Sequence, residues 1–184
     1  MTSICRSLAL GLALLVFGIA SAPRSEAASA AEIDADVRET MSEFFRQVRG
    51  ARELVGKSAA VLVFPSVIKA GIGIGGEYGE GALVTRERTI DYYNIVSASI
   101  GFQLGAQARS VIIVFVTPEA LAGFRRTHGW KVGVDASVAI VTVGAGGSID
   151  TSRIASPIVG FIFDSKGLMY NLTLEGSKIT RIRR

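Results

Sequence analysis

Apolar positions recur at helical spacing near the start of the chain and at strand spacing after it. In residues 32–55 they return every three or four residues, which predicts an amphipathic helix. The stripe consists of Ile33, Val37, Met41, Phe44, Phe45, Val48, Ala51 and Val55. Acidic residues open the segment and basic residues close it, as the helix dipole favours. We expect the stripe to pack on the domain core; the alternative is a helix that lies on a membrane.

From residue 59 onward the pattern predicts short β-strands with one helical interruption. Residues 111–116 (VIIVFV) are apolar on both faces, which is typical of a central strand. Thr117 as N-cap and Pro118 at the first helical position predict a short helix that ends near Arg126. The other predicted strands are 59–64, 81–85, 90–100, 101–107, 131–143, 158–163 and 168–174, with a hairpin turn at 164–167 and a loop at 144–154.

Successive strands without helices between them predict an antiparallel arrangement, because parallel neighbours need a crossover. The expected fold class is therefore α+β, with a mostly antiparallel, strongly curved sheet that is barrel- or sandwich-like. An N-terminal amphipathic helix and one short internal helix complete it.

The first thirty residues predict a signal peptide. Arg6 precedes an apolar run over residues 8–20, and small residues that suit a cleavage site follow at 25–27 and 28–30. Thirteen apolar residues are fewer than the roughly 20 that a membrane-spanning helix needs. We therefore expect residues 31–184 to form a single domain that is exported and is periplasmic or secreted. Cys5, the only cysteine, lies in the signal segment, so the mature domain offers neither a disulfide nor a thiol ligand.

The segment 69–83 (KAGIGIGGEYGEGAL) contains a G-x-G-x-x-G pattern from Gly71 to Gly76. A dinucleotide site needs a helix directly after such a turn, and Gly79 and Gly81 disfavour one here. We expect no nucleotide. Glycine alternates with small apolar residues instead, which predicts a strand that bends sharply or lets another backbone approach closely.

Catalytic and metal-binding patterns are sparse. His128, the only histidine, stands in a polar stretch, so a hydrolase built on it is a remote alternative. Glu77 and Glu80 could pair as general acid and base, but residues three apart in a strand point to opposite faces. We expect no cofactor, no metal site and no catalytic residue. The Asn171 sequon lies inside a predicted strand, so we regard it as accidental.

The remaining signal is basic. The chain has 20 Lys and Arg against 16 Asp and Glu, a net charge of +4, which permits attraction to an anionic surface but is too small for a nucleic-acid footprint. Cations beside an exposed Trp suit a lipid headgroup interface. The candidate lipid-binding residues are Lys69, Arg86, Arg88, Arg125, Arg126, Trp130, Lys131, Lys178 and Arg181.

Four blocks in order resemble the SYLF domain family: AAVLVFPSVIKAGIGIGGEYGEGAL, SIGFQLGAQARSVIIVF, WKVGVDASVAI and GLMYNLTLEGSKI. The resemblance covers roughly residues 37–179. It implies phospholipid binding without catalysis, and in fungal members the binding of actin filaments. Because this chain carries an export signal, we expect its partner to be an anionic phospholipid surface rather than actin. An envelope protein bound by a non-enzymatic interaction module is the alternative.

Overall fold

The computed structural model describes residues 28–143, 156–167, 174 and 176–184. Most of the predicted signal peptide, the predicted loop at 144–154 and the Asn171 sequon lie outside these residues. The helices are α1 (Ala30–Gln47), α2 (Ala51–Lys57) and α3 (Pro118–Arg126). The strands are β1 (Ala60–Val84), β2 (Thr89–Phe115), β3 (Trp130–Lys131), β4 (Ala139–Thr142), β5 (Ile158–Gly167) and β6 (Lys178–Ile182).

The predicted N-terminal helix is two helices. Helix α1 begins with a capping box, in which the Ser29 hydroxyl accepts from the Glu32 amide and the Glu32 carboxylate accepts from the Ser29 amide. The hydrogen bond from the Ser29 backbone is the main reason why the pKa of Glu32 is lowered. A single helix over 32–55 is wrong, because the backbone at Gly50 turns into the left-handed region with φ 85° and a new helix begins after it.

The apolar stripe of α1 packs on the sheet. Ile33, Val37 and Phe44 are buried, and the Phe44 ring lies 4.9 Å from that of Phe161 and 5.6 Å from that of Phe163. The prediction that this stripe contributes to the domain core is confirmed.

Strands β1 and β2 form one long hairpin of 25 and 27 residues. The sequence predicted several separate strands here, because Pro65 and the glycines look like strand ends. Pro65 instead lies in a bulge, between the pairs Phe64↔Val111 and Val67↔Arg109. The Ser110 hydroxyl donates to the Pro65 carbonyl at 2.8 Å, so the irregular backbone is hydrogen-bonded within the ladder.

Strand β2 is the centre of the sheet. Strand β1 pairs along one edge, and β6 and β5 share the other, β6 over residues 92–96 and β5 over residues 107–115. Strand β3 pairs with β6, and β4 pairs in parallel with β5, whereas the other pairings between the described strands are antiparallel. The expected α+β class with a mostly antiparallel sheet and a short internal helix is confirmed.

In the part of the chain that follows α3, two local predictions need correction and one strand was not predicted. The predicted strand 131–143 is divided into β3 and β4 by a turn around Gly133, whose φ is 79°. The predicted turn at 164–167 is part of β5, where Asp164, with φ 51°, lies in a bulge opposite Arg109. Strand β6 was not predicted, because its short basic sequence, KITRI, resembles a solvated tail.

The hairpin bends back on itself, and its glycines make this possible. At the bend, a Cβ atom on Gly71 would lie 2.3 Å from the Cα of Gly75. Farther along β1, a Cβ on Gly79 would lie 2.8 Å from the Ser66 carbonyl oxygen, and one on Gly81 would lie 2.0 Å from that of Val63. Two stretches of one strand thus approach each other at a distance that excludes side chains, and the predicted strong curvature is confirmed.

The curved sheet has a core on each face. The outer, convex face carries α1 and α2 over alternate residues such as Val61, Val63 and Ile112. The inner face holds Leu62, Leu83, Ile113 and their neighbours, and α3 covers it with Phe124. Trp130 packs edge-on against Phe124 with ring centroids 5.4 Å apart.

Replacing Gly81 by Ala tests this curvature. The added methyl would overlap the Val63 carbonyl oxygen and lie 2.8 Å from Cδ1 of Phe64. We expect Gly81→Ala to lower the free energy of unfolding by about 3 kcal/mol, measured by urea denaturation. The matched control is Gly76→Ala in the same strand, where nothing lies within 4 Å of the added Cβ. Equal effects of the two substitutions would contradict the close approach.

Candidate binding surface and buried charges

The structure brings five of the predicted lipid-binding residues to one side of the molecule. This basic edge, formed by the end of α3 with β3 and β6, comprises Arg125, Arg126, Lys131, Lys178 and Arg181, and all five are exposed. Strands β3 and β6 pair in a register that places Lys131 directly beside Lys178. Their proximity is a consequence of the β6 strand, which sequence analysis missed.

The charges of the basic edge differ in their surroundings. Asp91 of β2 is buried and its carboxylate lies 2.5 Å from Arg181 and 3.5 Å from Arg125. This carboxylate therefore ties β6 and the end of α3 to the central strand, and it offsets part of their charge. Among the described residues, no ion pair is formed by the ammonium group of Lys131 or Lys178, although the Asp135 carboxylate accepts a hydrogen bond from the backbone amide of Lys131 at 2.6 Å. These two lysines are the part of the edge best suited to meet an external anion.

Arg86 and Arg88 lie in the turn between β1 and β2. With Arg38 and Arg52 they line a groove of about 620 Å³ between α1 and this turn. Asp34 of α1 fixes the turn, because its carboxylate accepts hydrogen bonds from Thr89 at 2.8 Å and Tyr92 at 3.1 Å. Arg86 and Arg88 thus line this groove and do not belong to the basic edge as defined above.

Two other candidates are buried. Trp130 is 2% exposed and belongs to the inner core, so the expectation of an exposed ring beside cations is wrong. The flanking cations Arg125, Arg126 and Lys131 made the stretch look like a surface, but alternation in β3 turns the ring inward and Lys131 outward. Lys69 is 4% exposed and faces the inside of the bent hairpin.

Lys69 is part of a buried polar layer inside the bend, together with Glu77, Gln107 and Arg109. The Arg109 guanidinium donates to the Glu77 carboxylate at 2.7 Å, and both side chains are almost completely excluded from solvent. The register pairs Lys69 with Gln107, two residues from Arg109. A buried ion pair of this kind holds its two strands in one geometry, since separating it leaves a charge in the protein interior.

Sequence analysis did not find this buried polar layer, although the sequence shows charged residues and glycines alternating with apolar residues along β1. Positions 69, 71, 75, 77, 79 and 81 share a face of β1, on which two charged residues stand among glycines. Glu80 points to the opposite face, as predicted, where it accepts a hydrogen bond from the Tyr78 hydroxyl and pairs with Arg184. The hydrogen bond to Glu80 is the main cause of the raised pKa of Tyr78.

His128 is exposed in the turn after α3. In the described part of the chain, no three His, Cys, Asp or Glu residues are grouped as metal ligands would be. No helix within the described ranges is long and apolar enough to cross a membrane.

The fold defines a class of protein, namely an α+β domain built on a bent antiparallel hairpin with a basic edge. Residues 96–183 match the family model Ysc84, described as Las17-binding protein actin regulator. The resemblance to the SYLF family is confirmed by this match, which spans most of β2, α3 and the basic edge.

A fission yeast protein, the SH3 domain-containing protein PJ696.02 of Schizosaccharomyces pombe, is similar in sequence. The two are 29% identical over 151 residues, which cover 75% of this chain and 35% of the yeast protein. This chain therefore spans about a third of the length of that relative. The similarity therefore concerns about a third of the yeast protein.

The buried ion pair yields a second stability prediction. We expect Glu77→Gln to lower the free energy of unfolding by about 3–5 kcal/mol, because it removes the charge opposite the buried Arg109 guanidinium. The control is Glu53→Gln, which breaks the exposed Glu53–Lys57 pair of α2 and changes stability by less than about 1 kcal/mol. Urea denaturation measures both. A loss as small as that of the control would show that the pair does not hold the bend.

Proposed function

We propose that this domain binds peripherally to membranes that carry anionic phospholipids, with the basic edge as its electrostatic contact. The single observation that carries the proposal is the side-by-side placement of Lys131 and Lys178 on adjacent strands, with Arg126 exposed at the end of α3. Each Lys or Arg near an anionic surface contributes about 1 kcal/mol, and the contributions act together on a rigid edge.

The alternative is a protein partner, and the family supports it. The family model is described as a Las17-binding protein and actin regulator, and the yeast relative carries an SH3 domain. Because we propose that this chain is exported, we do not expect Las17 or actin as its partner. The alternative is therefore an envelope protein that binds at the basic edge. Salt would weaken the electrostatic attraction of the basic edge to either partner. Only the lipid hypothesis predicts binding to protein-free vesicles.

Export is part of the proposal, and the capping box of α1 favours one of the two cleavage sites. Cleavage after Ala27 leaves Ser29 to cap the helix, whereas cleavage after Ala30 removes Ser29 and its hydrogen bonds with Glu32. Loss of such a cap costs about 1 kcal/mol.

We therefore expect the exported protein to begin at Ala28. Intact mass measurement of protein from the periplasmic or culture fraction checks the N-terminus. A mature chain that begins at Ala31, or a full-length chain in the cytoplasm, would contradict this expectation.

Co-sedimentation with vesicles tests lipid binding. We expect the protein to sediment with vesicles containing anionic phospholipid and not with neutral ones, and the binding to weaken as salt rises. The double substitution Lys131→Glu/Lys178→Glu is expected to weaken binding at least tenfold. Arg46→Glu/Arg49→Glu, at exposed positions in the last turn of α1 and just after it, carries the same change in net charge and serves as the control.

If neither vesicle type sediments the protein at low salt, the lipid proposal fails and the protein partner takes its place. If the control double substitution weakens binding as strongly as the Lys131/Lys178 pair, net charge rather than the basic edge governs the binding.

A further inference from the structure

The bend of the β1–β2 hairpin has an inverted distribution of polarity. Its inward positions hold the buried Lys69, Glu77 and Arg109. Its outward positions are apolar or small, and four large side chains on them are exposed: Ile68 by 55%, Ile74 by 71%, Tyr78 by 49% and Val96 by 42%. We call the outward positions the apolar tip, which comprises Ile68, Ala70, Ile74, Gly76, Tyr78, Val96, Ala98, Ala106 and Ala108.

No charged residue interrupts these outward positions. A water-facing strand normally alternates in the opposite sense, with polar side chains outward. Single exposed apolar residues are ordinary, but a contiguous set on two paired strands marks a surface that contacts another apolar phase. Helices α1 and α2 cover the convex face farther along the hairpin, around Val61 and Ala82, and the tip lies beyond that covered area.

Lysines flank the tip on both arms of the hairpin. Residues that pair directly in adjacent strands project from the same face of the sheet. On one arm the row runs from Tyr78 to Val96, Lys178 and Lys131. On the other it runs from Ile68 to Ala108 and then to Lys166 of β5, which is exposed and whose ammonium group lies 3.2 Å from the Asp164 carboxylate. Each row therefore passes from apolar to cationic, and the basic edge continues into the tip on one surface.

Tyr78 marks the boundary between the two regions. Its ring lies in the apolar tip, while its hydroxyl donates to Glu80, which also pairs with Arg184. Tyrosine with an apolar ring and an anchored hydroxyl is the arrangement found where protein meets the level of lipid headgroups.

We propose that the apolar tip inserts into the interfacial layer of an anionic bilayer, with Lys131, Lys166 and Lys178 at the level of the phosphates. This inference rests on the proposed function and specifies how the domain sits on the membrane. The stretch from Ile74 to Tyr78 is about 13 Å long, which reaches below the headgroups. The hydrocarbon core is about 30 Å thick, so the tip enters one leaflet.

The depth of insertion is limited by the outer edge of β1. In the described residues β1 pairs with β2 alone, so the amides and carbonyls on its other edge need water or headgroups as partners.

The lysines that flank the apolar tip favour a bilayer, rather than a second copy of the chain, as the surface that covers the tip. A two-fold contact through the tip would place the flanking lysines of both copies near one another, which is repulsive. Lipid phosphates neutralise the same lysines. Both the apolar surface and its cationic border are thus satisfied by one occupant.

Tryptophan fluorescence tests the insertion in the full chain. Ile74→Trp places a reporter at the most exposed position of the tip, and the buried Trp130 supplies a constant background that the unsubstituted protein measures. With anionic vesicles we expect the emission of this reporter to shift to the blue and to be quenched by brominated acyl chains. The control is Ala35→Trp on the exposed side of α1, for which we expect neither change.

A polar substitution measures the contribution to affinity. We expect Ile74→Ser to weaken binding to anionic vesicles about tenfold at a salt concentration that screens the lysines, and to leave thermal stability unchanged because the side chain is exposed. Ala35→Ser is the matched control and is expected to leave binding unchanged.

The outcomes separate this inference from the proposed function. If the unsubstituted protein sediments with anionic vesicles while the emission of the reporter at position 74 stays unshifted, insertion of the tip is overturned and surface binding stands. A shift at position 35 instead of 74 assigns the contact to α1 and also overturns the inference. A shift that grows with protein concentration without vesicles assigns the tip to self-association, and absence of sedimentation overturns both proposals.

Discussion

The structure depends on the close approach of strand β1 to itself. Gly79 and Gly81 lie against the backbone of residues 63–67, and Gly71 lies against Gly75, at distances that leave no space for a Cβ atom. Because β2 pairs with β1 along nearly its whole length, the bend of one strand is imposed on the other. The bend creates an inside and an outside from a single hairpin, and β5, β6, α1 and α3 are arranged around it.

The inside of the bend holds charge, and the outside holds apolar surface. Burying Glu77 and Arg109 requires that they meet each other, so the pair fixes the relative position of the two arms where glycine supplies no side-chain packing. Asp91 has the corresponding role at the other end of the sheet, where it joins Arg125 of α3 and Arg181 of β6 to β2. The apolar tip lies on the outside of the bend that contains the Glu77–Arg109 pair. Lys131 and Lys178 lie in the basic edge that Asp91 joins to β2.

The sequence predicted the fold class, the apolar face of α1 and the N-cap of α3, because each follows from local periodicity and capping. Continuity of the hairpin was not predictable in this way, since Pro65 and the glycines resemble strand ends until pairing with β2 incorporates them into a bulge and a bend. The candidate site was predicted in part. Lys131, Lys178 and Arg181 are exposed as expected, but Trp130 and Lys69 are buried because tertiary packing decides which face of a short strand meets water. The role of Tyr78 and Ile74 required the knowledge that their neighbours point inward.

The central claim is that a membrane contacts the convex tip of the bent hairpin, not helix α1. Hydrogen–deuterium exchange of the full chain, with and without vesicles of anionic phospholipid, measures this directly for both elements. We predict slower exchange in residues 68–78 and 96–98 when vesicles are present, with exchange in α1 (Ala30–Gln47) unchanged. Slower exchange in α1 and none at the tip would contradict it.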